Sequence, residues 1–142
     1  MDSLFRKTVF TILTLMLAAA LVFSAGMVMA AESALTGDQE VPPVNTFASG
    51  NSTIYVSVDG VVTGSVNTSG IVSTAAHIHL GAPGTSGPPI VVLAKTSDNV
   101  WSVPPGTRLN DEQLREFNAG NLYINVHSNA YKDGEIRTQM KR

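Results

Sequence analysis

The chain has 142 residues, nine Lys+Arg against eleven Asp+Glu, three histidines and no cysteine. That length accommodates one domain plus a targeting segment, and the slightly acidic balance argues against a protein that grips nucleic acid by its phosphates. The absence of cysteine excludes a disulfide scaffold, a thiolate zinc site, a cysteine nucleophile and a lipid-modified cysteine anchor.

Arg6 and Lys7 precede an apolar run from Val9 to about Val28, and Val28-Met29-Ala30 sets small side chains before a cleavage point after Ala30. This is the pattern of a secretory signal peptide over residues 1–30, followed by one domain over 31–142 that works outside the cytoplasm. A run of about 20 apolar residues also reaches across a bilayer, so an uncleaved anchor is the competing reading. No second apolar run follows, and no membrane contact beyond the leader is expected.

The remainder is dense in Val, Ile, Thr, Ser and Gly, with turn signals every eight to twelve residues. The pattern predicts an all-β, antiparallel, Greek-key-like β-sandwich with one short helix near 110–119. Ser52–Val58 alternates as a strand with Ile54, Val56 and Val58 on one face. Asp59-Gly60 is a hairpin signal leading into a strand over Val61–Asn67. Ser69-Gly70 turns the chain into a strand over Ile71–Leu80, whose apolar face is Val72, Ala76, Ile78 and Leu80. Gly81–Pro89 reads as a loop. Ile90–Leu93 reads as a buried run apolar on both faces, and Val100–Val103 as a short strand with Trp101 as a core anchor.

Asn110 is an N-cap, Gln113 completes a capping box, Leu114 and Phe117 form an inward stripe, and Gly120 stops the helix. Asn121–His127 and Glu135–Lys141 are the closing strands, joined by Ser128–Gly134.

Alternate side chains of a strand face opposite ways. His77 and His79 therefore share one face of their strand, opposite Ala76 and Ile78. Tyr123, Asn125 and His127 share the face opposite Leu122, Ile124 and Val126. Glu135, Arg137 and Gln139 oppose Ile136, Thr138 and Met140. All three histidines fall on the non-core face.

Two imidazoles two residues apart on a strand are natural ligands of one ion, and His127 would close the set if its strand lies beside theirs. Three imidazoles would suit copper or zinc. The alternative is that the histidines hydrogen-bond the Gly81–Pro89 loop and hold it down. A symmetric closing hairpin would set His127 opposite Glu135 and Asn125 opposite Arg137, letting Glu135 accept a proton from the His127 ring. The Glu135/Arg137/Gln139 row is then either an ion-pair network behind the histidines or a solvated face. Tyr123 and Tyr131 are candidates for a binding surface. GAPGTSGPP has neither the lysine nor the following helix of a phosphate loop, and no nucleophile elbow or acidic pair occurs.

Leu35-Thr36-Gly37-Asp38-Gln39-Glu40-Val41-Pro42-Pro43-Val44, Ala76-His77-Ile78-His79-Leu80-Gly81-Ala82-Pro83-Gly84, and Gly120–His127 with Gly134-Glu135-Ile136-Arg137 resemble the CHRD (chordin) domain family. The three blocks occur in order and cover about residues 33–140. Thr138 stands where many members have glycine. The resemblance implies an exported, β-rich domain with no established enzyme activity. His77-Ile78-His79 also resembles the copper-ligand strand of copper–zinc superoxide dismutases, although the further His and Asp set of those enzymes is missing. Two functions are thus open. One is a secreted or periplasmic, non-enzymatic binding or structural module that recognises a protein or cell-envelope component. The other is an extracytoplasmic copper- or zinc-binding protein using His77, His79 and His127, with a dismutase-like activity as its enzymatic extension.

Overall fold

A computed structural model describes residues 32–142, so the signal-peptide expectation for residues 1–30 lies outside the described residues. Eleven strands pair only antiparallel: β1 (Ser33–Thr36), β2 (Ser49–Ser52), β3 (Tyr55–Val56), β4 (Val62–Thr63), β5 (Ser65–Ser69), β6 (Ser73–Leu80), β7 (Pro89–Val92), β8 (Ala94–Ser97), β9 (Val100–Ser102), β10 (Leu122–Ser128) and β11 (Ile136–Gln139). Nine form one sheet in the order β7-β6-β10-β11-β1-β2-β5-β9-β8, while β3 and β4 pair separately.

The two edge strands of that sheet, β7 and β8, are consecutive in the chain and separated only by Leu93. One residue cannot bridge the width of a flat nine-stranded sheet, so the sheet must curl until its edges meet. It forms a nearly closed barrel. Leu93 N–H donates to Ala76 O at 2.9 Å. From the far edge, Lys95 Nζ donates to Ser73 O and Trp101 Nε1 to Ser73 Oγ, at 3.3 and 2.9 Å. Trp101 is buried as the expected core anchor.

The interior is filled by Leu35, Val66, Ala76, Ile78, Leu122, Ile124, Val126 and Ile136, all essentially sealed from solvent. The helix, α1 (Asp111–Asn118), packs Phe117 and Leu114 against this core. Its capping box has both expected bonds: Gln113 N–H donates to Asn110 Oδ1 at 2.8 Å and Asn110 N–H to Gln113 Oε1 at 3.0 Å. Gly120, at φ +81°, ends it, with Asn121 N–H donating back to Glu116 O.

Three expected strands are drawn differently. Ser52–Val58 is not continuous, because Ser52 Oγ accepts from Ile54 N–H and breaks the ladder, sending β2 and β3 to different sheets. Val58 is consequently exposed. Val61–Asn67 divides at Gly64, whose φ of +110° and close approach to Thr53 O leave no room for a Cβ. The Ile90–Leu93 run lies at the sheet edge: Leu93 is buried but Val92 is exposed, and Val72 is exposed just ahead of β6. Pro89, which lacks an N–H, suits that edge.

Candidate functional site

Strand register puts the sequence-predicted residues on one patch. On β6 and β10, Tyr123 faces His79, Asn125 faces His77, and His127 faces Ala75. On β10 and β11, Tyr123 faces Gln139 and Asn125 faces Arg137. The β6 and β10 strands are direct neighbours, which meets the requirement for three converging histidines. One ligating nitrogen from each of His77, His79 and His127 lies within 4.8 Å of the others. A bulge between Ile78 and His79 shifts the β6–β7 register beside the site.

The hydrogen bonds fix ring states. His79 Nδ1 lies 2.8 Å from Gly87 O, and His127 Nδ1 lies 2.7 Å from Lys132 O. A carbonyl only accepts, so both Nδ1 atoms carry the proton and both Nε2 atoms present lone pairs. His127 Nε2 accepts from His77 Nδ1 at 3.0 Å. His79 Nε2 is buried with no partner. Anchoring Nδ1–H on a backbone carbonyl is how metal-ligating histidines are usually oriented. Burial pushes the His77 and His79 imidazoles below their ordinary pKa, and for His77 the approach of His127 is the next cause. Both are held neutral, as a ligand must be.

This non-core face is not a solvated surface. Every residue of β10 is buried, as are Glu135 and Arg137. The Gly81–Pro89 loop lies over it, held by three side chains. Arg137 donates to Thr85 O at 2.7 Å and Gln139 Oε1 at 2.9 Å. Gln139 donates to Gly81 O at 2.8 Å, and the Tyr123 hydroxyl accepts from Gly87 N–H at 3.1 Å. The Tyr123 ring stacks on His79 with centroids 4.8 Å apart, and the Arg137 guanidinium carbon sits 3.5 Å from the same ring's centroid. Both readings of the histidines therefore have a physical counterpart: they tie down loops through Nδ1 and leave Nε2 available.

Three expectations change and one stands. Glu135 does not take a proton from His127. Its Oε1 accepts from Thr46 Oγ1 at 2.6 Å, because the segment before β2 crosses there and Lys132 O already occupies the His127 ring. Glu135, Arg137 and Gln139 form neither a solvated face nor an ion-pair network. Among the described residues the ion pair is Arg108–Asp59, elsewhere on the surface. Tyr123 is buried under the Gly81–Pro89 loop and offers no binding surface, whereas Tyr131 is exposed in the separate Ser128–Gly134 loop. Asn125 does face Arg137, but its Nδ2 donates to Asp133 O at 3.2 Å.

Sequence reasoning passed over Glu40 as a site residue. It is buried, its Oε1 has no partner, and burial pushes its carboxyl up to about 7 against the opposing effects of Arg137 and Asn125. Glu40 follows a short 3-10 turn, Gly37–Gln39, where no strand or helix periodicity assigns a face.

The CHRD domain family description matches residues 31–140, and the chain belongs to that family. No curated protein and no solved structure matches it. Among the described residues no helix is long and apolar enough to cross a membrane.

Proposed function

We propose that this CHRD domain is an exported, non-enzymatic module that holds one copper or zinc ion through His77, His79 and His127. The carrying observation is the pair of buried imidazoles whose Nδ1 protons are committed to Gly87 O and Lys132 O. Their Nε2 lone pairs face the site, and that of His79 has no partner. A buried acceptor without a donor costs about 1–3 kcal/mol, and a cation there removes the cost. Imidazole without thiolate suits divalent copper and zinc.

Tetrahedral ligand nitrogens at bond lengths near 2 Å lie about 3.3 Å apart. The 3.0 Å between His77 and His127 is close to that value, and the 4.8 Å span must contract. His77, partly buried and with its side-chain bond to His127 alone, is the ring freest to adjust, while the widest ring separation, His79 to His127, must also close. The half-exposed His77 also marks the entry path.

Metal analysis and zinc or copper titration of the exported protein test this, wild type against His79→Ala. One ion per chain, with affinity at least about tenfold weaker in the variant, is expected. Weak binding that ignores the substitution removes the reading.

A second role rests on separate residues. Phe47 and Val72 project fully or nearly so into solvent, which favours contact with a cell-envelope component. Phe47→Ser should move the exported protein from the envelope to the soluble fraction without altering metal content. An unchanged distribution ends that role.

A further inference from the structure

The buried side-chain polar atoms without a partner, among the described residues, belong to three neighbouring groups: His79 Nε2, Asn125 Oδ1 and Glu40 Oε1. Native interiors pair nearly all such atoms, so orphans gathered in one place indicate a missing occupant. His79 Nε2 is an acceptor because its Nδ1 holds the proton, and both oxygens are acceptors. An occupant shared by acceptors alone is a cation or a hydrogen-bond donor.

Asn125 is better placed than any other non-histidine side chain to meet that occupant. It stands directly opposite His77, two residues from His127 on the same face of β10, and diagonal to His79. It is 1% exposed, and a Cβ built at Gly134 would meet both its Nδ2 and Glu40 Oε1, so the two side chains lie on the same side of that glycine. Its amide is oriented without ambiguity. Nδ2 donates to Asp133 O on the side of Gly134 and Glu40 Oε1, so Oδ1 is the opposite end of the amide and is left without a partner. Gly134 permits this arrangement, since a Cβ there would overlap Asn125 Nδ2 and come within 2.5 Å of Glu40 Oε1.

We infer that Asn125 Oδ1 is the fourth ligand of the ion at the three-histidine site, with Glu40 as the positioning residue whose free Oε1 is the acceptor Nδ2 turns to when Oδ1 engages the ion. The inference rests on the metal reading above and adds a protein-closed N3O coordination sphere. A carboxamide oxygen is a hard donor, so the site favours zinc(II) or copper(II) over copper(I).

Cobalt(II), a visible stand-in for zinc, tests the closure in the exported protein. Wild type should show the intense absorption of four-coordinate cobalt, unaltered by azide. Asn125→Leu should bind cobalt about tenfold or more weakly and gain an azide response at the vacated position. Reducing the copper form of the wild type should release its metal. An azide response in the wild type overturns the inference without recourse to any variant, and an Asn125→Leu spectrum and affinity equal to wild type overturns it also. Cobalt binding that is absent, or indifferent to His79→Ala, instead removes the three-histidine reading itself.

Discussion

Arg137→Met tests the idea that this face of the barrel is built around one buried cation. Arg137 is 2% exposed, donates to Thr85 O and Gln139 Oε1 at 2.7 and 2.9 Å, and lies over the Tyr123 ring. Methionine keeps the length and leaves little cavity. The losses are two charge-assisted hydrogen bonds, at about 1.5–3 kcal/mol each, and a desolvated cation–π contact of about 2 kcal/mol. The removal of a costly buried charge offsets part of that sum. A net loss of about 3–5 kcal/mol is expected, since Thr85 O is also left without its donor.

Such a loss is a large part of a stability of about 5–15 kcal/mol and corresponds to roughly 12–20 °C in Tm for a domain of this size. Urea unfolding should show a lower midpoint with an unchanged slope. Arg137→Lys, which keeps the charge but not the fork, should fall between. Amide exchange at Gly87, held by the Tyr123 hydroxyl, should accelerate more than at Ile78 in the barrel wall. A loss under about 1 kcal/mol with an unchanged slope would refute the clamp.

Other outcomes follow from the same geometry. Ser73→Ala leaves the buried Trp101 Nε1–H without its 2.9 Å acceptor and should cost about 1–3 kcal/mol in urea unfolding, against near neutrality at exposed Ser86. The depressed His77 and His79 make the metal-free fold lose stability as pH falls from about 6.5 through their folded pKa values, because the unfolded chain takes up protons first. Glu40 has the opposite sign. Raised from 4.5 to about 7, it contributes stability that is complete below 4.5 and lost as pH rises through 7. Glu40→Gln should therefore gain on wild type with rising pH, by on the order of 2–3 kcal/mol at most, and a pH-independent difference would contradict this. Asn110→Ala should cost about 1 kcal/mol through the lost helix cap, read by thermal unfolding.

Alternation alone placed Ala76, Ile78, Ile124, Val126 and Ile136 inside and the three histidines on the opposite face, because a strand has period two whatever surrounds it. The helix was legible for an equally local reason: Asn110, Gln113 and Gly120 satisfy backbone groups within a few residues of themselves. Chain-local chemistry also located the turn at Asp59-Gly60, where Gly60 N–H donates to Ser57 O. What surrounds the second face of a strand is decided elsewhere in the chain. Arg137 reaches across 52 residues of sequence to Thr85, Thr46 across 89 to Glu135, and Leu93 forces two edges together. Those contacts turned an expected outer surface into a second buried layer, moved Glu135 away from His127, and drew Glu40 in.

Length, charge and the absence of cysteine left three histidines as the available imidazole ligands. The tertiary structure decided that they meet, that two of them are locked by Gly87 O and Lys132 O, and that Asn125 stands beside them. The physical reason is that a side chain's face is a property of its own strand, while its partners and its exposure belong to whichever distant segment packs over it.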